Sequence, residues 1–202
     1  MKRALFIVDI QEKYNKSFTM DYLQKVEEYI GKNKDKYDRI VMIMEENVDK
    51  GDFIPRDVFE ELTIRPVFKC YDSEYSLERI KRSTLFKQSG SSLVPKFKLP
   101  DGDFCLKDGT GYFVGKQEDG ILFIDYMSKD LYLLLNLFRD YDEVEIIGGG
   151  LRHCVKKTQE YFRFIGITNT RINKDMCYKI SSQPSPCPEF AFDTFIENKQ
   201  RD

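Results

Sequence analysis

Residues 4–8 form an unbroken apolar run, Ala-Leu-Phe-Ile-Val, closed by Asp9. A short continuous run of this kind suits a strand buried on both faces of a parallel sheet. Thr19 is placed to cap a following helix, in which Met20, Leu23, Val26 and Ile30 recur at helical spacing, Asp21 sits in the first turn and Gly31 is available to close it. Residues 39–44 repeat the continuous apolar pattern and end in Glu45-Glu46. Strand, helix, strand in this order is the βαβ unit of a doubly wound sheet.

The pattern resumes after a less regular middle. Residues 103–106 read as a third, short strand ending at Lys107, and residues 112–114 and 121–124 flank a hairpin-like turn at Glu118-Asp119-Gly120. Ser128 caps a helix with Leu131, Leu134, Leu135 and Phe138 on one face. Residues 144–147 are a buried strand that runs into Gly148-Gly149-Gly150, and Cys154 opens a helix whose inner face carries Val155, Thr158, Phe162 and Ile165 before Gly166. Residues 167–172 alternate enough to form a strand near the sheet edge. A stiff proline-rich connector, residues 183–188, leads to a last short helix over residues 189–198. The expected architecture is a three-layer α/β/α fold around a mostly parallel sheet. It fills one domain, residues 1–202, with a divergent insertion at about 47–102 made of loops and short helices, including a helical stretch at 75–86 and a Ser-Gly-Ser-Ser loop at 89–92.

Composition narrows the function more than the fold. Thirty-two basic and thirty-four acidic residues give a formal charge of -2, so nothing points to nucleic acid or to a membrane surface. The apolar stretch at the N-terminus is too short for a signal peptide, and no span approaches membrane length. The five cysteines form no C-x-x-C pair and are odd in number, which fits reduced thiols in a cytoplasmic protein. The single histidine, His153, argues against a His-rich metal site, and as the immediate neighbour of Cys154 it is better placed to face structure or substrate than to act as a general base.

Chemistry concentrates at three expected strand ends. Open α/β sheets bind ligands at the carboxyl ends of their strands, where Asp9, Lys107 and Cys154 stand. A cysteine at a helix N-terminus, next to a glycine turn, sits near the positive end of the helix dipole, which favours the thiolate. The same cysteine also reads as a buried structural residue, an Asp in that position often binds loop amides, and a Lys there is often a surface residue. If the three strands are neighbours, an acid, a cation and a thiol converge. Lys107 then favours the thiolate, Asp9 moves protons, and amides around Gly150 and Cys154 hold an oxyanion.

These residues carry a resemblance to the isochorismatase-like cysteine hydrolase superfamily, relatives of nicotinamidases and N-carbamoylsarcosine amidases. Residues 4–11, with Asp9 and Gln11, are similar to its first strand. Lys107 followed by Gly111-Tyr112-Phe113 resembles its lysine motif, and residues 148–155 with Thr158 and Gly166 resemble its cysteine signature. The resemblance implies an Asp9–Lys107–Cys154 triad that cleaves a C–N bond of a small amide through a thioester. It also implies an oxyanion hole at Gly150 and Cys154, a cis peptide at Gly149-Gly150, and frequent homo-oligomers. Gln11, Phe113, Arg152 and His153 are candidate substrate contacts. Two positions depart from the pattern: Leu151 stands where the family usually has Thr, and Arg152 where Asp is frequent. After the second strand, where nicotinamidases hold a metal with Asp and His, this chain has Glu45-Glu46-Asn47-Val48-Asp49. No metal or cofactor is therefore expected. The alternative is a member that has lost catalysis and serves as a small-molecule-binding or interaction module.

Overall fold

A computed structural model describes residues 1–10, 19–43, 73–90, 92–152 and 154–178. Its centre is a four-stranded parallel sheet in the order β2-β1-β8-β9. The strands are β1 (Arg3–Val8), β2 (Arg39–Ile43), β8 (Glu143–Gly148) and β9 (Thr170–Cys177). The continuous apolar runs are where both faces of the sheet are covered. Ala4, Phe6, Val8, Val41, Ile43, Val144 and Ile146 pack on one side, and Leu5, Ile7, Ile40, Met42 and Ile147 on the other.

Helices occupy both faces. α1 (Met20–Asn33) lays Leu23, Val26 and Ile30 on the second face. α3 (Lys129–Asn136) and α4 (Cys154–Phe164) cover the first with Leu131, Leu134, Leu135, Val155 and Phe162. Phe6 lies at the heart of that side, its ring edge-on to Phe138 at 4.7 Å and to Phe162 at 5.0 Å. The expected caps form: Thr19 accepts from the Tyr22 amide (3.2 Å) and Ser128 from the Leu131 amide (3.1 Å). Gly31 does not close α1, which runs on to Asn33 and a 3-10 turn at Lys34–Lys36. The outer strand is β9, as its edge position foretold, but it starts and ends later than residues 167–172.

The strand containing Lys107 is not part of this sheet. β5 (Gly102–Lys107), β6 (Tyr112–Glu118) and β7 (Ile121–Met127) form a separate antiparallel sheet. The reason is connectivity. Only a tight turn joins β5 to β6, and Asp119 and Gly120, both at positive φ, make a two-residue hairpin between β6 and β7. Parallel partners need a long crossover, which neither link provides. One face of this sheet gives Tyr112, Val114 and Met127 to the same core as α3 and α4. The other face gives Phe104, Phe113, Ile124 and Tyr126 to a third apolar cluster with Ile80, Phe86 and Leu99. Part of the expected loop region is thus ordered as α2 (Ser73–Arg82) and a hairpin of β3 (Phe86–Ser89) and β4 (Ser92–Pro95).

Glu145 on β8 is fully buried, yet amply satisfied. It accepts from Tyr29 Oη (2.5 Å), Tyr37 Oη (3.1 Å) and Asn173 Nδ2 (2.8 Å), and pairs with Arg171 (2.5 Å). It ties α1, β8 and β9 together in the way a buried carboxylate requires. The connector at 183–188 and the helix at 189–198 lie outside the described residues, and so does Glu45-Glu46. Among the described residues no helix is long and apolar enough to cross a membrane.

Phe6→Ala should cost about 3–5 kcal/mol of stability, because it removes a ring enclosed by two others. Urea unfolding at neutral pH measures it through a lowered midpoint at unchanged slope.

Candidate active site

The order β2-β1-β8-β9 creates a switch point. From β1 the chain passes through α1 to β2 on one side, while β8 lies on the other side of β1 and continues into α4 on the opposite face. The two connections part at the carboxyl ends of β1 and β8, the place where such sheets open a ligand crevice. Asp9 follows β1 directly, and the glycine turn follows β8.

The two ends touch. Val8 is in register with Gly148, and the Gly149 amide donates to the Val8 carbonyl at 2.5 Å. Gly148 has φ +105°, and a Cβ built there would lie 2.2 Å from the Val8 carbonyl oxygen. A Cβ on Gly149 would meet the Asp9 Cβ at 2.9 Å and its Oδ2 at 3.3 Å. Glycine is required for close approach at both positions and for backbone conformation at the first. The Asp9 carboxyl group therefore stands against the glycine turn. Asp9 is 3 % exposed and its φ is +52°, a conformation that Asp tolerates better than most residues. Its amide extends the ladder to the Ile43 carbonyl at 2.9 Å.

Cys154 is the first residue of α4, half-buried, and packs with Leu151 against the core beneath the helix. Its carbonyl accepts from Thr158 Oγ1 at 2.8 Å. As the first residue of α4, Cys154 lies at the positive end of the helix dipole. Cys105 and Cys177 are in a different position: burial pushes their thiols up to about 11 and about 12.

A residue that sequence reasoning missed joins these parts. Tyr178, directly after β9 and 5 % exposed, donates from its hydroxyl to the Asp9 carbonyl at 3.1 Å. Its amide donates to the Gly148 carbonyl and its own carbonyl accepts from the Leu151 amide, both at 3.1 Å. Burial first, and then the nearby charges of Asp9 and Cys154, raise the phenol above its ordinary range. The signal was present in principle, since β9 neighbours β8 and its last residue must fall at the same sheet end. An expected strand ending at 172 hid it.

Lys107 stands on the other sheet. It is exposed at the end of β5, with its ammonium 5.8 Å from the centre of the Tyr112 ring, which stacks on Tyr132 of α3 at 3.7 Å. Phe113, a candidate substrate contact, is fully buried between Phe86 and Tyr126. Arg152 is exposed in the turn before α4. Gln11 and His153 lie outside the described residues. The peptide bonds of the glycine turn are trans, so the cis bond implied at Gly149-Gly150 is not found. The Gly148 backbone takes up the close approach instead. Gly149 and Leu151, on either side of Gly150, already commit their amides to Val8 and Tyr178. Among the described residues no group of three His, Cys, Asp or Glu side chains is arranged to hold a metal.

No family model matches the chain, and no curated protein matches it. Two solved structures are similar. One is the pyrazinamidase of Pyrococcus horikoshii in complex with zinc, at 15% identity over 98% of this chain and 96% of that one, with a TM-score of 0.46. The other is the MAR1 ribonuclease from Caenorhabditis elegans, at 14% identity over 97% of this chain and 73% of that one, with a TM-score of 0.45. At this identity and superposition neither passes a reaction or a residue role to this chain.

Two measurements check the local geometry. Gly148→Ala puts a Cβ into the Val8 carbonyl at a backbone angle alanine avoids, so stability should fall by at least about 1–3 kcal/mol in denaturant unfolding. The loop after Lys107 supplies a pH test. Partial burial pushes the Asp108 carboxyl up, but hydrogen bonds from Ser83 Oγ and from Thr110 Oγ1 (2.6 Å) and amide (2.7 Å), with the Gly111 amide (3.3 Å), outweigh it and hold it below the usual range. A depressed carboxylate stabilises fully above its unfolded pKa of about 3.9 and loses that contribution as pH falls through the folded value. The gap in melting temperature between the wild type and Asp108→Asn should therefore be full at neutral pH and close on acidification.

Proposed function

We propose that this chain is a metal-independent cysteine hydrolase that cleaves a C–N bond of a small amide through a thioester on Cys154. The observation that carries the reading is the meeting of a buried Asp9 with the Cys154 turn at the sheet's switch point, with Cys154 at a helix N-terminus. Asp9 takes the thiol proton, and the sulfur attacks the amide carbonyl carbon. The amides of Gly150 and Cys154 are the candidate donors for the resulting oxyanion. The C–N bond then breaks, and the leaving nitrogen takes the proton held by Asp9. A water, giving its proton to Asp9, attacks the thioester, and the carboxylic acid departs as the sulfur leaves. Lys107 enters as the cation that offsets Asp9 and the thiolate. Metal independence rests on the sequence, in which a lone histidine follows the glycine turn and none follows the second strand.

The position of Lys107 favours a second reading, in which the scaffold has kept the crevice and lost turnover, leaving a small-molecule-binding or interaction module. Leu151 and Arg152, which depart from the family pattern, support it too.

Iodoacetamide labelling at neutral pH, read cysteine by cysteine by mass spectrometry, separates the two. For the hydrolase, Cys154 should react at least about tenfold faster than Cys105 and Cys177, whose burial suppresses the thiolate. In a screen of small amides, Cys154→Ala should abolish any hydrolysis found while leaving the melting temperature near the wild-type value. Equal or slowest labelling of Cys154, or turnover that survives Cys154→Ala, sinks the hydrolase reading.

A further inference from the structure

We infer that Tyr178 is the positioning residue of the Asp9–Cys154 pair, a single phenol and peptide that fix the acid at the end of β1 relative to the turn that presents the thiol. The inference rests on the hydrolase reading for its purpose and on the geometry alone for its substance. Three hydrogen bonds define it. The Tyr178 hydroxyl reaches the Asp9 carbonyl, its amide reaches the Gly148 carbonyl, and its carbonyl receives the Leu151 amide. The main-chain pair brackets the glycine turn from outside, at a point where the β8–β9 register has just shifted between Ile146 and Gly148. The side chain crosses β8 to the far strand, β1.

Asp9 has need of such a hold. Its positive φ is a sparsely populated conformation that persists only where surroundings over-determine it. The Asp9 amide is fixed by Ile43 on one side, and the Asp9 carbonyl by Tyr178 on the other. Peptide units on both sides of the Asp9 Cα are thereby pinned, and the carboxyl group is directed at the glycine turn. Tyr178 is kept in place in turn by the Tyr22 ring of α1, edge-on at 5.5 Å, while Tyr22 Oη donates to the Met176 carbonyl at 3.0 Å. The titratable groups facing the phenol are Asp9 from β1, Cys154 from α4, Tyr22 from α1 and Cys177 from β9. Burial favours the protonated phenol, the form that donates to the Asp9 carbonyl.

The test compares wild type with Tyr178→Phe, Asp9→Asn and the double variant, with Tyr22→Phe as control. Tyr22→Phe removes a half-buried hydroxyl, which donates to the Met176 carbonyl, and keeps the ring that packs on Tyr178. The rate of iodoacetamide reaction at Cys154 is followed from about pH 5.5 to about pH 9.5, a range of about four units that includes neutrality. Asp9→Asn should displace this pH profile. Tyr178→Phe should displace it in the same direction, changing the rate at neutral pH by about fivefold, the equivalent of one hydrogen bond. The double variant should match Asp9→Asn alone, and Tyr22→Phe should match the wild type. Coupling of that kind marks residues acting through one another. A Tyr178→Phe profile that coincides with the wild type, or that adds in full to Asp9→Asn, overturns the inference.

If Asp9→Asn leaves Cys154 unchanged, the hydrolase reading fails, and the inference is decided by a second measurement. Carboxyl carbon NMR follows the titration of Asp9 in wild type and in Tyr178→Phe. A displaced Asp9 titration upholds Tyr178 as its positioning residue, and a superimposable one refutes it.

Discussion

The structure turns on the pairing of β1 with β8, and within it on the contact between the Val8 main chain and Gly148. Two buried parallel strands lie beside each other in most α/β sheets, but here they converge until no Cβ fits between them. That closeness has consequences in both directions. Behind it, Phe6 and Ile146 on one face and Leu5, Ile7 and Ile147 on the other fill the core without a gap. Ahead of it, the chain after β1 is driven into a positive-φ residue and the chain after β8 into a glycine turn, so that the Asp9 carboxyl group and the start of α4 share one end of the sheet. The strain is local, of the order of 1–3 kcal/mol per unusual residue, and well-packed strands can hold it.

The antiparallel sheet acts through α4. Arg163 pairs with Asp103 of β5 at 2.9 Å, and Asp125 of β7 receives Tyr161 Oη at 2.8 Å and pairs with Lys157. Asp125 is 4 % exposed, so this is a buried polar hub and not a surface ion pair. A buried carboxylate needs its partners in place, and removing one leaves a costly charge. The helix that begins with Cys154 is consequently held along its length by β5 and β7, and at its inner face by Val155 and Phe162. Rigid support behind a candidate nucleophile is what preorganised chemistry requires.

Most of the parallel frame was legible in the sequence, because its signals are local and one-dimensional. Continuous apolar runs at β1, β2 and β8, helical periodicity at α1, α3 and α4, and Ser128 and Thr19 as caps each speak of a single element. What the pattern could not carry was sheet membership. Residues 103–106 look like a strand in any sheet, and only the shortness of the link at 108–111 and the hairpin at 119–120 decide that it pairs antiparallel to its successor. The same gap explains the site. Asp9 follows β1 and Cys154 opens the helix after β8, strands that the topology makes neighbours, so reading both as strand-end residues put them toward the same end of the sheet. Lys107 was placed by the same rule and stands on another sheet. Tyr178 was invisible because β9 carries few apolar residues along its exposed edge, and its true end at Cys177 leaves no periodic trace.

The polar residues of the sheet divide by end, and the division bears on where chemistry can occur. Toward the amino ends, Glu143 and Glu145 are enclosed by Arg3, Arg171, Asn173 and two tyrosines, with donors for both carboxylate oxygens of Glu145. Such a network is saturated. Its members hold each other. Toward the carboxyl ends the arrangement is different in kind. Asp9 is held by its main chain, through Ile43 and Tyr178, and its carboxyl group lies against the glycine turn. A sheet built this way keeps its ion pairs toward the amino ends and its backbone constraints at the carboxyl ends.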